Sequence, residues 1–184
     1  MNRITLMLLS CALIVPSVVT AQSNAEMIER TLLPLSERTA QGASVVAWKA
    51  DQTWETIKEG TNTWVCYERS GDPGQAPFAV QCTSKENLLR VAQNRRFAAQ
   101  GTTPEERRDL VATAQENGSR VDAEYGSLFI SMNGQDQEST GIHTTVAVPY
   151  ATGESTGLPE SRSQGGAWVM AAGTSEAHIM VPGR

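Results

Sequence analysis

The chain has 184 residues, enough to bury one sizeable core but few for two. Its 15 basic and 20 acidic residues give a formal charge of −5 at neutral pH. That balance argues against a nucleic-acid partner, because phosphate binding rests on neutralisation by Lys and Arg.

At the N-terminus, Arg3 precedes an apolar run from Ile4 to Val15 that Pro16 ends. Val19 and Ala21 then place small residues at the third and first positions before a cut. This layout predicts a secretory signal peptide over 1–21, cleaved between Ala21 and Gln22. A membrane-spanning helix needs about 20 apolar residues. The run falls short of that, and no later stretch is apolar enough, so no stable span is expected once the leader is gone. Leu8-Leu9-Ser10-Cys11 loosely resembles a lipidation site, but Leu9 fits poorly and a cut there would leave an apolar start. Residues 22–184 are expected to form one exported globular domain, periplasmic or extracellular.

Three helix starts carry Ser or Thr followed three residues later by Glu, a pattern that satisfies two orphan backbone donors reciprocally. They are Ser23/Glu26, Thr83/Glu86 and Thr103/Glu106. Helices follow over about 25–33, 85–99 and 104–117. Pro34 interrupts the first, and a short second turn runs to Gln41. Pro104 suits the first position of the last helix, and Gly118 suits its stop.

Strands are predicted over 44–49, 54–59 and 63–68, joined by turns too short for anything but antiparallel neighbours. Further strands are predicted over 127–132, 143–150, 167–171 and 177–181, the last two as a hairpin around Gly173-Thr174-Ser175. The expected fold is α+β: a mostly antiparallel sheet of about six or seven short strands, with two or three helices grouped on one side. The loops 70–77 and 151–166 are rich in Gly, Pro, Ser and Thr, and long loops on rigid scaffolds often carry function.

Once the leader is removed, Cys66 and Cys82 are the only cysteines, in a compartment where disulfides persist. One structural bridge is expected, because a redox role would prefer a Cys-x-x-Cys spacing.

Several patterns suggest chemistry. Gly153-Glu154-Ser155-Thr156-Gly157 matches the nucleophile elbow, with Glu160, Glu176 and His178 downstream. Pro159 and the lack of a following helical period argue against that geometry. His143 and His178 are the only histidines, and with Asp136, Glu138 or Glu176 they could in principle hold a metal. They lie too far apart in sequence for ordinary ligand spacing, so no metal and no cofactor is expected. The carboxylate pairs Asp122/Glu124 and Asp136/Glu138 read as solvated loop residues. Arg90, Arg95, Arg96, Arg107 and Arg108 place positive charge on two successive helices, where an anionic ligand or an acidic partner surface could be held, although solvated helix faces with local ion pairs such as Glu105 with Arg108 are the commoner arrangement. Trp48, Trp54 and Trp64 could form an aromatic platform if their faces align, although tryptophan more often fills a core. Asn117-Gly118-Ser119 fits the N-glycosylation pattern.

Glu59-Gly60-Thr61-Asn62-Thr63-Trp64-Val65-Cys66, together with Cys82 and the closing Ala177-His178-Ile179-Met180-Val181-Pro182, resembles a family of uncharacterised exported bacterial proteins. In that family a Gly-Thr-Asn-Gly-Trp-x-Cys segment precedes a Pro/Gly loop and a second cysteine, and a His-Ile/Leu-Met strand closes the chain. Thr63 stands where the family has Gly. The resemblance implies export, a Cys66–Cys82 bridge and a bacterial source, and it implies no activity. The functional expectation is a non-enzymatic module that binds a small molecule or an envelope protein. The rival is a small secreted hydrolase using His178 as acid/base, together with Ser155 or with a metal, His143 being a further candidate residue.

Overall fold

A computed structural model describes residues 24–182. The expected leader, the Ala21/Gln22 cut and Ser23 of the first capping box lie outside the described residues. No helix among the described residues is long and apolar enough to cross a membrane.

The fold is α+β. Helices α1 (Asn24–Leu32) and α2 (Glu37–Gly42) precede strands β1 (Ser44–Trp48), β2 (Trp54–Lys58), β3 (Trp64–Glu68) and β4 (Phe78–Ser84). Helices α3 (Leu88–Gln100) and α4 (Pro104–Glu116) follow, then β5 (Leu128–Gly134) and β6 (Ile142–Ala147). The short helix α5 (Gly153–Thr156) and strands β7 (Trp168–Met170) and β8 (His178–Met180) complete the chain. All eight strands join one sheet, in the order β2-β1-β3-β4-β5-β6-β8-β7.

The structure corrects four expectations. The strand that sequence periodicity misses is β4, which lies between β3 and β5 with Phe78, Ala79, Val80, Cys82 and Thr83 buried. A strand buried on both faces reads as an apolar run and loses its alternation.

The second correction concerns β3, which pairs parallel with β1 and does not pair with β2. The expected reversal of direction between β2 and β3 is present, but the connection steps across the end of β1. Five residues suffice for that, because two strand spacings are only about 10 Å. Gly60 makes the crossing possible: a Cβ there would lie 2.4 Å from the backbone of Gly42, Ala43 and Ser44. Asn62 fixes it, accepting from the Trp64 amide at 3.0 Å and donating to the Thr39 carbonyl at 2.9 Å.

Third, helices cover both faces of the sheet. On one, Ile28 and Leu32 of α1 pack on Ala43, Val45 and the two cysteines. On the other, Leu88 and Val91 of α3 pack on Val46, Val65 and Tyr67. Continuous burial through Ser44–Val46 and Val65–Tyr67 requires a cover on each side.

Fourth, Thr83 does not cap a helix. Its hydroxyl donates to the Leu128 carbonyl at 2.8 Å and accepts from Asn87, while Ser84 accepts from the Glu86 amide. The Thr103/Glu106 box forms as expected, with Pro104 in the first turn.

Cys66 and Cys82 are joined in a disulfide between directly paired positions of β3 and β4, with Cα atoms 4.1 Å apart. Both are fully buried under α1.

Candidate functional site

Between α3 and the face of the sheet it covers, a cleft of about 450 Å³ opens toward β6, β7 and β8. Strand alternation builds its floor: Tyr67, Gln81, Phe129, Thr145, Ala147 and His178 all point to this side. Helix α3 supplies the wall through Arg90, Val91, Asn94 and Arg95, which recur at helical spacing. The loop after β3 brings Arg69 and Asp72 to one end. The turn before β8 brings Ser175 and Glu176 to the other.

At the first end, Arg95 pairs with Asp72, donates to Gln52 Oε1 at 2.9 Å and stacks over Trp48 with 4.8 Å to the ring centroid. Burial pushes the Asp72 carboxyl above its ordinary value, although the Arg95 charge opposes this. Burial likewise lowers Arg95, so desolvation outweighs the pairing for both partners. Beneath them, the Tyr67 hydroxyl is wholly buried and donates to Gln81 Oε1 at 2.8 Å. Burial raises its pKa well above the ordinary phenol value, which keeps it a neutral donor. No hydrogen bond or ion pair engages the Arg69 guanidinium among the described residues.

At the second end, two buried guanidiniums meet one half-exposed carboxylate. Arg90 donates to the carbonyls of Val121 at 2.6 Å and Ser175 at 3.0 Å, and Glu176 Oε1 lies 4.0 Å away. Arg120 sits behind Ser175 and donates to Gln93 and Asn94, both at 2.7 Å, and to Glu176 at 3.3 Å. Burial, and then the charge of Arg90, push Arg120 down to about 10.

The sequence candidates separate in space. His178 lines the cleft, with Nδ1 donating to the Glu176 carbonyl at 2.8 Å. His143 is exposed on β6, opposite Ser131. His178 pairs with Ala147, four residues further along β6, so the two histidines are separated by roughly 13 Å at 3.3 Å per residue. That is several times a metal–ligand bond. No group of three or more His, Cys, Asp or Glu residues that could hold a metal occurs among the described residues.

Ser155 lies outside the cleft lining, on α5. Its hydroxyl accepts from the Thr152 amide at 2.9 Å and donates to the Thr152 carbonyl, forming a capping box. Glu160 accepts from the Gly153 amide at 2.6 Å. The loop 151–166 therefore spends its polar groups on its own turns and on the edge of β7, where the Pro159 carbonyl accepts from Val169.

Of the expected arginines, Arg90 and Arg95 reach the cleft, while Arg96 and Arg108 are exposed and Arg107 bonds the Thr103 carbonyl. Trp48 and Trp54 meet edge to face at 5.6 Å on the α3 side. Trp64 packs with the α1 core, so the three tryptophans do not share a platform. The acid pairs serve loops: Asp122 accepts from the Tyr150 hydroxyl at 3.0 Å, and Asp136 from the Ser139 amide at 2.7 Å.

Sequence reasoning misses Arg69, Tyr67, Gln81 and Arg120, and reaches Asp72 only through the loop 70–77 that holds it. No local motif marks them, because they converge only through strand register and two loops.

A second hollow lies at the opposite end of the sheet, between Trp64 and Tyr125. Its Asn62 and Lys85 donate to the Thr39 and Gly60 carbonyls, which commits those two groups to the fold.

No family model, no curated protein and no solved structure matches this chain.

Proposed function

We propose that this protein is an exported, non-enzymatic binding module whose small-molecule ligand occupies the cleft between α3 and the sheet. The carrying observation is the concavity itself. A hollow of about 450 Å³ combines apolar surface from Val91 of the wall and Phe129 and Ala147 of the floor with convergent polar groups. Small-molecule sites characteristically occupy hollows of about 300–1,000 Å³ with this mixture. The buried Cys66–Cys82 bridge supports export, because such bonds persist in oxidising compartments. The resemblance of residues 59–66 and 177–182 to exported bacterial proteins points the same way.

Binding is favoured over hydrolysis by the way the candidate groups are used. The Ser155 hydroxyl closes a helix cap, and His178 is oriented by a backbone carbonyl. A hydrolase needs a base within hydrogen-bond reach of its nucleophile.

The test is a fragment screen on the oxidised protein, read by amide chemical-shift mapping. Saturable shifts confined to Val91, Phe129, Ala147 and His178 support the reading. Hits that map only to the Trp64/Tyr125 hollow, or none at all, reject it.

A further inference from the structure

We infer that the ligand is a small organic oxyanion, a carboxylate or phosphate on an apolar body, whose charged group lies against Arg69. The inference rests on the reading of the cleft as a binding site and names the class of ligand that site takes.

Charge makes the case. Arg69, Arg90 and Arg95 line the cleft, whereas only Asp72 and Glu176 line it with carboxylates. Arg120 adds a fourth guanidinium directly behind Ser175. All this lies in a chain whose formal charge is −5. The attraction is therefore local to the cleft, and low-dielectric walls focus it there.

The cationic excess is only partly neutralised from within. Arg90 spends its short hydrogen bonds on neutral carbonyls, and Arg120 spends most of its own on neutral amides. Glu176 is the carboxylate within 4.0 Å of both, and Asp122 acts on both from farther off; the Glu176 side chain is 45% exposed, while those of Arg90 and Arg120 are 5% and 1% exposed. Burying a guanidinium without a full counter-charge costs stability. These buried guanidiniums make the second end of the cleft positive and add a longer-range attraction to an anion held at the first, and charges of this kind gather at functional sites.

Two further observations place the anion. Asp72 already sets a carboxylate on Arg95, so this wall accepts oxyanion geometry. Arg69 lines the same end within electrostatic reach of Asp72, and no hydrogen bond or close ion pair takes its fork of donors among the described residues. Arginine presents paired donors that match a carboxylate or phosphate edge. Beyond the charged end the surface becomes apolar through Phe129, Ala147 and Met170, and Met170 is 50% exposed. That sequence of surfaces fits a charged head followed by an aromatic or aliphatic body.

The test titrates the oxidised, isotope-labelled protein at fixed ionic strength with benzoate, phenyl phosphate, benzyl alcohol and inorganic phosphate. Benzoate or phenyl phosphate is expected to shift the amides of Phe129, Ala147 and His178 saturably. Benzyl alcohol is expected to bind at least about ten-fold more weakly, since a charge-assisted hydrogen bond accounts for that factor or more. Inorganic phosphate should bind more weakly than phenyl phosphate, because it lacks the apolar body. Arg69→Gln should weaken the better anion roughly ten-fold or more, and Arg69→Lys should lose less.

Equal binding of benzyl alcohol and benzoate at the same amides would overturn the oxyanion class and leave the cleft as a binding site. Inorganic phosphate matching phenyl phosphate would overturn the apolar body. Unchanged affinity in Arg69→Gln would overturn the placement. Absence of any cleft shift with all four probes would overturn the oxyanion class, and the fragment screen would then decide the binding reading on its own. The comparison of charged with neutral probes uses the unaltered protein, so it stands even if a variant folds poorly.

Discussion

Arg95 and Asp72 form an ion pair that ties the loop inside the disulfide ring to α3, at the charged end of the cleft. The loop contains Gly71 and Gly74, both at positive φ, and its grip on the helix runs through this contact. The pair thus sets the shape of the cleft as well as part of its charge.

Its pH behaviour follows from burial. The Asp72 carboxyl is held above its ordinary value by desolvation, against the pull of Arg95. A group raised in this way holds its proton more tightly folded than unfolded. Its contribution to stability is therefore greatest at low pH and falls as pH rises from the ordinary Asp range through the folded pKa. Hydrogen bonds from Thr53 and Ser139 hold Asp51 and Asp136 below the usual range. Carboxyl-carbon titration should place the Asp72 midpoint above both. Coincident midpoints would contradict the desolvated setting of the pair.

The Cys66–Cys82 bridge closes a loop of 16 residues. In the chain-entropy model such a link contributes about 3 kcal/mol, through the unfolded state. The Cys66→Ala/Cys82→Ala double variant should lower the urea-unfolding free energy by about that amount, with a larger loss if the vacated core fails to close. A variant as stable as the oxidised parent would show that the bridge does not constrain the chain.

Arg120 links α3 to the turn before β8 through Gln93, Asn94, Ser175 and Glu176. Removing its head takes the charged donor from Asn94, while Gln93 keeps the Val121 amide and the half-exposed Glu176 keeps Arg90 nearby. Arg120→Ala should destabilise by roughly 1–3 kcal/mol, because the one charged partner is half-exposed and some of the acceptors keep other donors. Arg120→Lys should recover only part, because an ammonium cannot serve four divergent acceptors. Denaturant midpoints of the two variants check the order, and a surface-like loss below about 0.5 kcal/mol for Arg120→Ala would refute the network's role.

Gly60 and Gly141 form a paired control. Alanine at Gly60 would drive its Cβ into the backbone entering β1, whereas Gly141 has nothing within 4 Å of an added Cβ. Gly60→Ala should lower the melting temperature sharply or prevent folding. Gly141→Ala should be neutral or slightly stabilising, by reducing unfolded-chain entropy. Similar melting temperatures for the two variants would argue against the strand crossing at residue 60.

Local physics was legible in the sequence by itself. The Thr103/Glu106 box with Pro104, the stop at Gly118, the turn between β1 and β2 and the α+β class all follow from bonds or periods spanning a few residues. The cysteine pair was legible too, on the expectation that a leader carrying Cys11 is removed and leaves one partner for each remaining thiol. The tertiary structure alone decided that β3 lies beside β1, that β4 runs through the middle of the sheet, and that helices cover both faces. It alone brought Arg69, Arg90, Arg120 and His178 around one cleft. Those choices turn on strand register and on which buried run finds which cover, and both are settled by contacts between distant residues that leave no periodic mark on the chain.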